Sequence, residues 1–434
     1  MATELTDDDN DDIVEFTETA KDLDGDAISE TLELDKVDGT NQTGGDRNPS
    51  WFSYSKSTTT LNSGAKEATF NSSIDLSGLS QGSDYEFLFS ASDGQETMER
   101  RFTITAEAST PETTLTVQSS EVGSDLSNFP VYVNLSNMPQ SFWDNVSSDG
   151  SDILVEDQNN NLIPREIAAF DSNNNTGAMY FKAPTVSSSS DTPFSITVGG
   201  SDFAGNEEDV WTNSYLYASN DGGKTDSTSA GNDGIPKGGV TMGNVDGFLA
   251  EATRFDGDSD WINIGVDFGI TDGTKHPHTL QAWVRWDGQT DTLQGIIQSN
   301  EPNNQPFANP PSSLRQQVNP EKGKFAIQNS NNNLKTAEST TSPQSGVWYR
   351  ITGRLESDGT LTVFFNGSSE GTSSTQDTFD ASEDWEIGAW QRNNDRFFDG
   401  RIGYLRIIDR ALSDDWVSAE FVNQNDPTSF YNVS

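Results

Sequence analysis

Short apolar runs recur along the whole chain, and in the clearest of them apolar and polar residues alternate. Residues 31–35 alternate over their full length, and residues 279–286 carry an apolar residue at every second position, 280, 282, 284 and 286. A period of two places every second side chain on one face of a β-strand. Dense Gly, Pro, Ser, Thr and Asn separates the runs, which is typical of sandwiches and barrels. The pattern predicts an all-β fold class.

The positions of the predicted strands divide the chain of 434 residues into domains. Residues 1–12 are polar and acidic and are predicted to form an arm. Predicted strands at 13–17, 31–35, 51–54, 85–90 and 101–105 give a first sandwich over residues 13–106, followed by a linker over 107–114. A second sandwich is predicted over 115–205, and a third over 206–434. We therefore expect three β-sandwich domains in series.

The first two domains resemble known surface-protein sandwiches. Leu79, Gly82 and Tyr85 resemble the tyrosine-corner stretch of immunoglobulin and fibronectin type III domains. The strand order over 115–205 resembles an uncharacterised β-sandwich family that often precedes laminin-G-like domains in archaeal and bacterial surface proteins. These resemblances imply architecture and say little about chemistry.

The third domain carries the most specific motifs. They are Asp-Ser-Thr-Ser-Ala-Gly-Asn-Asp-Gly at 226–234, Ala-Thr-Arg-Phe-Asp-Gly at 252–257, Gly-Val-Trp-Tyr-Arg-Ile at 346–351, a strand at 361–367 ending in Asn-Gly, a strand at 398–407, and Arg-Ala-Leu-Ser at 410–413. In this order they resemble the laminin-G-like, concanavalin A-like jelly roll. Asn366-Gly367 is predicted to form a tight hairpin turn. Ser413 is predicted to cap a short helix with Asp414 and Asp415 in its first turn. One departure is that Gly403 and Tyr404 replace the acidic pair usual in the family.

The charge balance changes the expected environment. Lys and Arg number 25 against 69 Asp and Glu, so the formal net charge is −44. Self-repulsion at this charge is severe in dilute buffer, but at about 1 M salt the Debye length falls to roughly 3 Å. The composition therefore predicts a halophilic source. The same charge argues against nucleic acid and anionic membranes as partners, and no apolar run reaches the length of a membrane span.

No catalytic constellation is evident. Related glucanases place their carboxylates on one strand as E-x-D-x-x-E, and no such run occurs here. The nearest approach, Glu383-Asp384-Trp385-Glu386, lies where the family places an ordinary strand. We expect a protein that is not an enzyme.

Two acidic turns are candidate calcium sites, because hard carboxylate oxygens are the ligands that calcium prefers. The candidate ligands are Asp22, Asp24 and Asp26 in the first domain and Asp256, Asp258 and Asp260 in the third. The alternative is a solvated acidic turn of the kind expected throughout this chain. His276 and His278 flank Pro277, but no third zinc ligand is evident nearby, so a surface turn is the preferred interpretation.

A loop rich in polar residues is the best candidate for ligand binding. Trp390, Arg392, Asn393 and Asn394 combine an aromatic face with amide and guanidinium donors, as in lectin sites. The alternative is a Trp packed under its own loop. The insertion at 300–320, which is predicted to be irregular, is a second candidate for recognition.

Three adhesive-type domains without catalytic chemistry indicate recognition at a surface. One interpretation is a virion surface protein of a halophilic archaeal virus: a turret, spike or tail fibre that attaches to the host. In that setting we expect a homo-oligomer, contacts of the N-terminal region with capsid or tail proteins, and binding to a host cell-surface glycan or glycoprotein. The alternative is a secreted or cell-surface adhesin of a halophilic archaeon, with a possible role in a carbohydrate-active enzyme system. The N-terminus lacks the basic and apolar regions of a secretory signal, which favours the virion.

Overall fold

The computed structural model of the chain describes residues 13–22, 29–42, 50, 52–60, 66–75, 83–92, 95–105, 112–243, 245–288, 293–299, 310–318, 321–378, 380, 384–389 and 396–434. The chain divides into two compact units, Met1–Ser109 and Thr110–Ser434. Each is built almost wholly from antiparallel strands, so the predicted all-β class is confirmed. Within the described residues, no helix is long and apolar enough to cross a membrane.

The described part of the first unit forms two antiparallel sheets. Its strands are β1 Ile13–Asp22, β2 Ser29–Val37, β3 Thr40–Asn41, β4 Phe52–Thr60, β5 Lys66–Asp75, β6 Asp84–Ser92 and β7 Thr97–Thr105. The sheets have the orders β1-β5-β4 and β3-β2-β6-β7. Strict alternation along β6 buries Tyr85, Phe87 and Phe89, which pack with Leu32 and Leu34 of β2. Leu79 and Gly82 of the predicted tyrosine corner, and the predicted arm over 1–12, lie outside the described residues.

The second unit begins with a sandwich that we call the middle sandwich. Its strands are β8 Glu112–Val117, β9 Leu126–Asn134, β10 Leu154–Glu156, β11 Arg165–Asp171, β12 Thr176–Val186 and β13 Thr192–Thr197, with the short helix α1 at Gln140–Asn145. Short 3-10 turns lie at Ser119–Glu121, Leu135–Asn137 and Glu207–Trp211. One sheet has the order β11-β12-β9, and the other contains β10, β13 and β8.

The rest of the second unit is a larger two-sheet sandwich. Its strands are β14 Tyr215–Ser219, β15 Ile235–Lys237, β16 Val245–Asp246, β17 Glu251–Asp256, β18 Trp261–Asn263, β19 His278–Trp286, β20 Gln294–Ser299, β21 Ser312–Val318, β22 Glu321–Gln328, β23 Leu334–Glu338, β24 Trp348–Leu355, β25 Thr360–Phe365, β26 Ser368–Ser374, β27 Trp385–Ile387 and β28 Asp399–Ile408. Helices α2 Asp414–Asn425 and α3 Pro427–Phe430 and strand β29 Tyr431–Val433 end the chain as given.

These strands form an eight-stranded and a seven-stranded sheet. The first has the order β16-β17-β28-β19-β24-β25-β26, with β14 also paired to β28, and the second has the order β15-β18-β27-β20-β21-β22-β23. Apolar side chains from both sheets meet in one core, for example Leu280 and Ile402 from the first and Ile262 and Phe325 from the second. Two sheets closed over one apolar layer are what the sequence motifs predict.

Local chemistry explains several loops that hold this sandwich together. Asp226 of the predicted opening motif accepts hydrogen bonds from the backbone N–H groups of Ala218, Thr228 and Asn232, so one carboxylate fixes the loop. Asn366 and Gly367 join β25 to β26 with φ of 48° and 77°, which confirms the predicted hairpin turn.

The middle sandwich and the larger sandwich share one apolar cluster and hydrogen bonds. Strand β29 pairs with β8 and so becomes the fourth strand of the middle sandwich's sheet of β10, β13 and β8. The Asn423 side chain of α2 accepts from the Tyr132 N–H at 2.7 Å and donates to the Tyr132 carbonyl at 2.8 Å. The two sandwiches therefore belong to one compact unit and are joined by contacts across the expected boundary at 205.

One expectation for the insertion at 300–320 is wrong. Residues Ser312–Val318 form β21, an inner strand of the seven-stranded sheet. Only Leu314 of its central residues joins the apolar core, while Ser313 and Arg315 lie on the other face. Because so few of its residues are apolar, hydrophobic periodicity does not predict this strand. Residues 300–309 and 319–320 of the insertion lie outside the described part of the chain.

Candidate functional site

The seven-stranded sheet has one apolar and one polar face. Its apolar face carries an aligned row across five strands into the core, formed by Ile262, Ile387, Ile297, Leu314 and Phe325. Cross-strand partners point to the same side of a sheet, and neighbours along a strand point to opposite sides. The next row therefore lies on the opposite face, and it consists of Asn263, Glu386, Gln298, Ser313, Ala326 and Thr336. We call this face the polar face.

A second row on the polar face runs beside the first. Trp261 lies two residues before Asn263, so its side chain is on the same face, and it is half-buried. In the sheet, β27 and β20 lie between β18 and β21. Gly295 of β20 pairs with Arg315 of β21, and Arg315 pairs with Lys324 of β22. The row thus has an aromatic ring at one end and two cations at the other.

Hydrogen bonds orient several of these groups. The Arg315 Nε donates to Ser313 Oγ at 2.7 Å, and the Asn263 Oδ1 accepts from the Gly265 N–H at 3.0 Å. The Asn263 Nδ2 lies 3.4 Å from Asp384 Oδ2. Gln298 is only 1 % exposed, yet within the described residues its Oε1 accepts no hydrogen bond. A buried carbonyl oxygen without a donor costs about 1–3 kcal/mol.

The described residues that flank the predicted ligand loop lie beside the polar face. Trp390, Arg392, Asn393 and Asn394 themselves lie outside the described residues. The residues on either side of this segment form a bridge between Ala389 and Phe397, and the Gly295 N–H donates to the Arg396 carbonyl at 3.5 Å. The base of the predicted loop therefore lies next to the row that contains Trp261.

The acidic turn of the third domain joins β17 to β18 and so leads into Trp261. Asp256 accepts hydrogen bonds from the N–H groups of Asp258 and Ser259, and the first of these bonds lowers the pKa of Asp256. Burial, and then the neighbouring Asp256 charge, raises the pKa of Asp260. Within the described part of the chain, no group of three or more His, Cys, Asp or Glu comes together that could hold a metal ion. Calcium at this turn stays a prediction.

The acidic turn of the first domain falls mostly on residues that the structure does not describe. Asp24 and Asp26 lie outside the described residues, and Asp22 is described only as the last residue of β1. Calcium binding at this turn also stays a prediction.

The preferred interpretation of His276 and His278 as a surface turn is wrong for His278. This residue is completely buried at the start of β19, with Nδ1 2.8 Å from the His276 carbonyl and Nε2 2.8 Å from Ser312 Oγ. His276 is half-buried, and its Nε2 lies 2.5 Å from Asp409 Oδ1. Both imidazoles are thus used by the fold.

A separate cavity of about 420 Å³ opens beside the eight-stranded sheet. It is lined by Gly243, Val245, Asp246, Glu251 and Arg401. Arg401 donates to the Asp246 carbonyl at 3.3 Å, and Asp246 and Glu251 are direct cross-strand partners. The lining contains no aromatic ring, so it lacks the stacking surface that the polar face provides.

Sequence reasoning missed Trp261, Asn263, Gln298 and Arg315. The triplet Trp-Ile-Asn at 261–263 carried a usable signal, because a single Ile facing the core places both neighbours on the other face. The pairing of this triplet with β27 and β20 depends on contacts distant in sequence, which no local pattern reveals.

The comparisons with known proteins agree with this architecture. Residues 256–418 match the family model described as the concanavalin A-like lectin/glucanases superfamily. The prediction of a concanavalin A-like jelly roll in the C-terminal half is therefore confirmed. No curated protein matches the chain.

Three of the solved structures that are similar to the chain have low sequence identity to it. The botulinum neurotoxin serotype D binding domain is 14 % identical over 49 % of this chain and 51 % of its own, with a TM-score of 0.39. The serotype D ligand-binding domain in complex with N-acetylneuraminic acid is 14 % identical over 50 % and 52 %, also at 0.39. Domain 4 of AbnA, an extracellular arabinanase from Geobacillus stearothermophilus in complex with arabinotriose, is 18 % identical over 46 % and 98 %, at 0.36. The chain spans about half the length of the neurotoxin domains.

Proposed function

We propose that the jelly roll is a carbohydrate-binding domain and that the polar face of its seven-stranded sheet is the binding surface. The observation that carries the proposal is a half-buried Trp261 on the same face as Asn263, Gln298 and Glu386. Sugar rings present apolar C–H faces that stack on indole, and hydroxyl rims that need both donors and acceptors. The polar face offers these two kinds of contact side by side.

Burial strengthens the hydrogen bonds that side chains of this face make within the protein. Glu386 and Ser313 are 0 % exposed and Gln298 is 1 % exposed, so hydrogen bonds here form away from bulk water. A hydrogen bond in such surroundings is stronger than the same bond at an open surface. The ligand would stack on Trp261 and present a hydroxyl to the amide of Asn263, both of which are partly exposed.

We further propose that the protein binds sugars without cleaving them, because the sequence holds no E-x-D-x-x-E run on a strand. Its proposed setting is the surface of a virion of a halophilic archaeal virus, where the jelly roll attaches to a host glycan or glycoprotein. The net charge of −44 supports a saline habitat. The second candidate is an adhesin of the archaeal cell surface. Co-purification of the chain with virus particles supports the first, and co-purification with cell envelopes supports the second.

The test of the binding surface is the Trp261→Ala variant. We expect at least a tenfold loss of affinity for any saccharide that the wild-type chain binds, since losing an aromatic stack together with its buried area exceeds about 1.4 kcal/mol. Glycan-array screening in molar salt would find a ligand, and isothermal titration would measure the loss. Trp261→Phe should recover part of the affinity.

Trp348→Ala is the matched control. Trp348 is also half-buried, but it lies on β24 of the other sheet. The Trp348→Ala variant should bind the saccharide with the affinity of the wild type. Equal affinity of wild type and Trp261→Ala, with both chains folded, would contradict the proposed surface.

A further inference from the structure

A group of hydrogen-bond donors lies where strand β14 and the end of β28 meet the first turn of helix α2. Tyr215 begins β14, which pairs with β28, and the Asp409 N–H donates to the Ser214 carbonyl at 2.8 Å. Arg410 therefore follows β28 beside Tyr215. The guanidinium carbon of Arg410 lies 4.3 Å from the centre of the Trp416 ring. We call Tyr215, Arg410 and Trp416 the donor cluster.

The polar atoms of the donor cluster are buried and unpaired. Within the described residues, the Tyr215 Oη, the Arg410 Nε and Nη2 and the Trp416 Nε1 have no hydrogen-bond partner, and solvent does not reach them. Tyr215 is 7 % exposed and Trp416 is 4 % exposed. An unpaired buried donor destabilises a fold. Four such atoms in one cluster indicate that a bound group supplies the missing acceptor.

The charges near the donor cluster favour a negative group. Burial lowers the pKa of Arg410, while the nearby Tyr215 and Glu420 act in the opposite direction. Glu420 is already engaged, because its Oε2 lies 2.5 Å from the Arg350 Nη2 and its Oε1 accepts from the Tyr404 hydroxyl. Among the described residues, no carboxylate forms an ion pair with Arg410. Its positive charge therefore lacks a direct partner.

We propose that the donor cluster binds one chloride ion, held by the Nε and Nη2 edge of Arg410, the Tyr215 hydroxyl and the Trp416 indole N–H. Guanidinium and indole groups only donate hydrogen bonds. A water molecule between them would leave its own hydrogens without acceptors, whereas a halide accepts from every donor. The burial of Tyr215 and Trp416 favours a monatomic anion over a carboxylate or sulfate group. Arg410 is partly exposed, so the cluster reaches solvent on that side.

A chloride ion at this point would stabilise the contact between the middle sandwich and the jelly roll. The Trp416 ring packs edge-on against Phe129 of β9 at 5.0 Å, and the Tyr215 ring packs in the same way against Trp211 at 5.1 Å. A ligand that binds only the folded state stabilises it increasingly as its concentration rises above the dissociation constant. This stabilisation depends on the identity of the anion, in contrast to charge screening, and it is independent of the proposed carbohydrate binding.

The experiment locates the ion and measures its effect on the full chain. In crystals grown in molar NaBr, bromide replaces chloride and scatters anomalously, so we expect a bromide peak in contact with Arg410 and Tyr215. Thermal melts at constant ionic strength, with methanesulfonate exchanged stepwise for chloride, measure the stabilisation. The Tm of the second unit should rise by about 2 °C for each tenfold increase in chloride above the dissociation constant.

Tyr215→Phe is the decisive variant, because it removes the hydroxyl and keeps the ring. If the hydroxyl donates to chloride, Tyr215→Phe should lose most of the chloride-dependent rise in Tm. If the hydroxyl is unpaired, its removal should leave the chloride dependence unchanged and should not lower the Tm. Arg410→Lys, which keeps the charge and removes the fork of donors, should also weaken the chloride dependence.

Tyr180→Phe is the matched control. Within the described residues the Tyr180 Oη is also buried without a partner, but Tyr180 lies beside Tyr404 and Arg406 of β28. This variant should keep the chloride dependence of the wild type. The absence of bromide from the donor cluster would overturn the inference, and so would equal chloride dependence of the wild type and Tyr215→Phe.

Discussion

A single buried histidine ties the stability of the jelly roll to pH. His278 is 0 % exposed, with Nδ1 donating to the His276 carbonyl and Nε2 paired with the Ser312 hydroxyl. Burial lowers its pKa from 6.5 to about 4. The His278 imidazole is therefore protonated below about pH 6.5 in the unfolded chain, but only below about pH 4 in the folded chain. Stability consequently falls as the pH falls through this window.

We expect the wild type to lose on the order of 3 kcal/mol more than His278→Gln as the pH is lowered across that window. Denaturant titrations in molar salt at several pH values would measure both free energies of unfolding. His276→Gln, which changes the partly exposed neighbour, should keep the wild-type slope. Parallel curves for wild type and His278→Gln would show that this residue does not carry the pH dependence.

At the residue scale, turns and helix caps could be predicted from the sequence, but the burial of individual polar side chains could not. The Asn366-Gly367 turn and the Ser413 cap are both present as the sequence predicts, because each depends only on residues within four positions. In the cap, Ser413 Oγ accepts a hydrogen bond from the Trp416 N–H at 3.1 Å. His278 was misjudged because Pro277 and His276 beside it are typical of a surface turn. Its partner Ser312 lies 34 residues away in sequence.

At the scale of elements, a short C-terminal strand completes a sheet that begins more than 300 residues earlier. In β29, Tyr431 pairs with Val117, and Ser434 exchanges backbone hydrogen bonds with Thr114. The Tyr431 ring is 1 % exposed, and its hydroxyl accepts from the Asn134 N–H at 3.0 Å. The middle sandwich therefore depends on residues that follow the jelly roll.

Tyr431→Ala should lower the free energy of unfolding of the second unit by about 3 kcal/mol or more, because it leaves a cavity and an unpaired Asn134 N–H. The loss should appear as one shifted transition, with reduced hydrogen-exchange protection in both β8 and α2. Leu334→Ala is the control, because Leu334 is 37 % exposed on the edge strand β23 and its loss should change little. Separate transitions for the middle sandwich and the jelly roll would contradict a shared unit.

Predictability differed between elements for a physical reason. Strand β6 faces a core on one side and shows alternating apolar residues in sequence, and β19 and β25 carry apolar residues toward a core on both faces. Strand β21 and the triplet of β18 carry polar residues of the proposed binding surface on their outer face, and these residues weaken the apolar signal. The candidate site was therefore harder to predict than the fold around it, and only the neighbourhood of its loop at 390–394 was anticipated.

At the scale of the whole molecule, composition sets the conditions under which either unit is folded. A net charge of −44 repels itself in any compact state. Folding brings these charges closer, so unscreened repulsion favours the unfolded chain. Screening removes this term without changing any contact in the core.

The chain should therefore be unfolded, or have a much lower melting temperature, at about 10 mM NaCl than at about 1 M NaCl. The Debye length is about 30 Å at the lower salt concentration and about 3 Å at the higher one. Tryptophan fluorescence during dialysis and thermal melts at stepwise salt concentrations would follow the change. Sucrose separates the possible causes, because it strengthens burial by exclusion from the surface but does not screen charge. If repulsion dominates, sucrose at low salt should restore little of the stability that NaCl restores. A cooperative melt that is the same at both salt concentrations would show that the acidic surface does not make folding depend on salt.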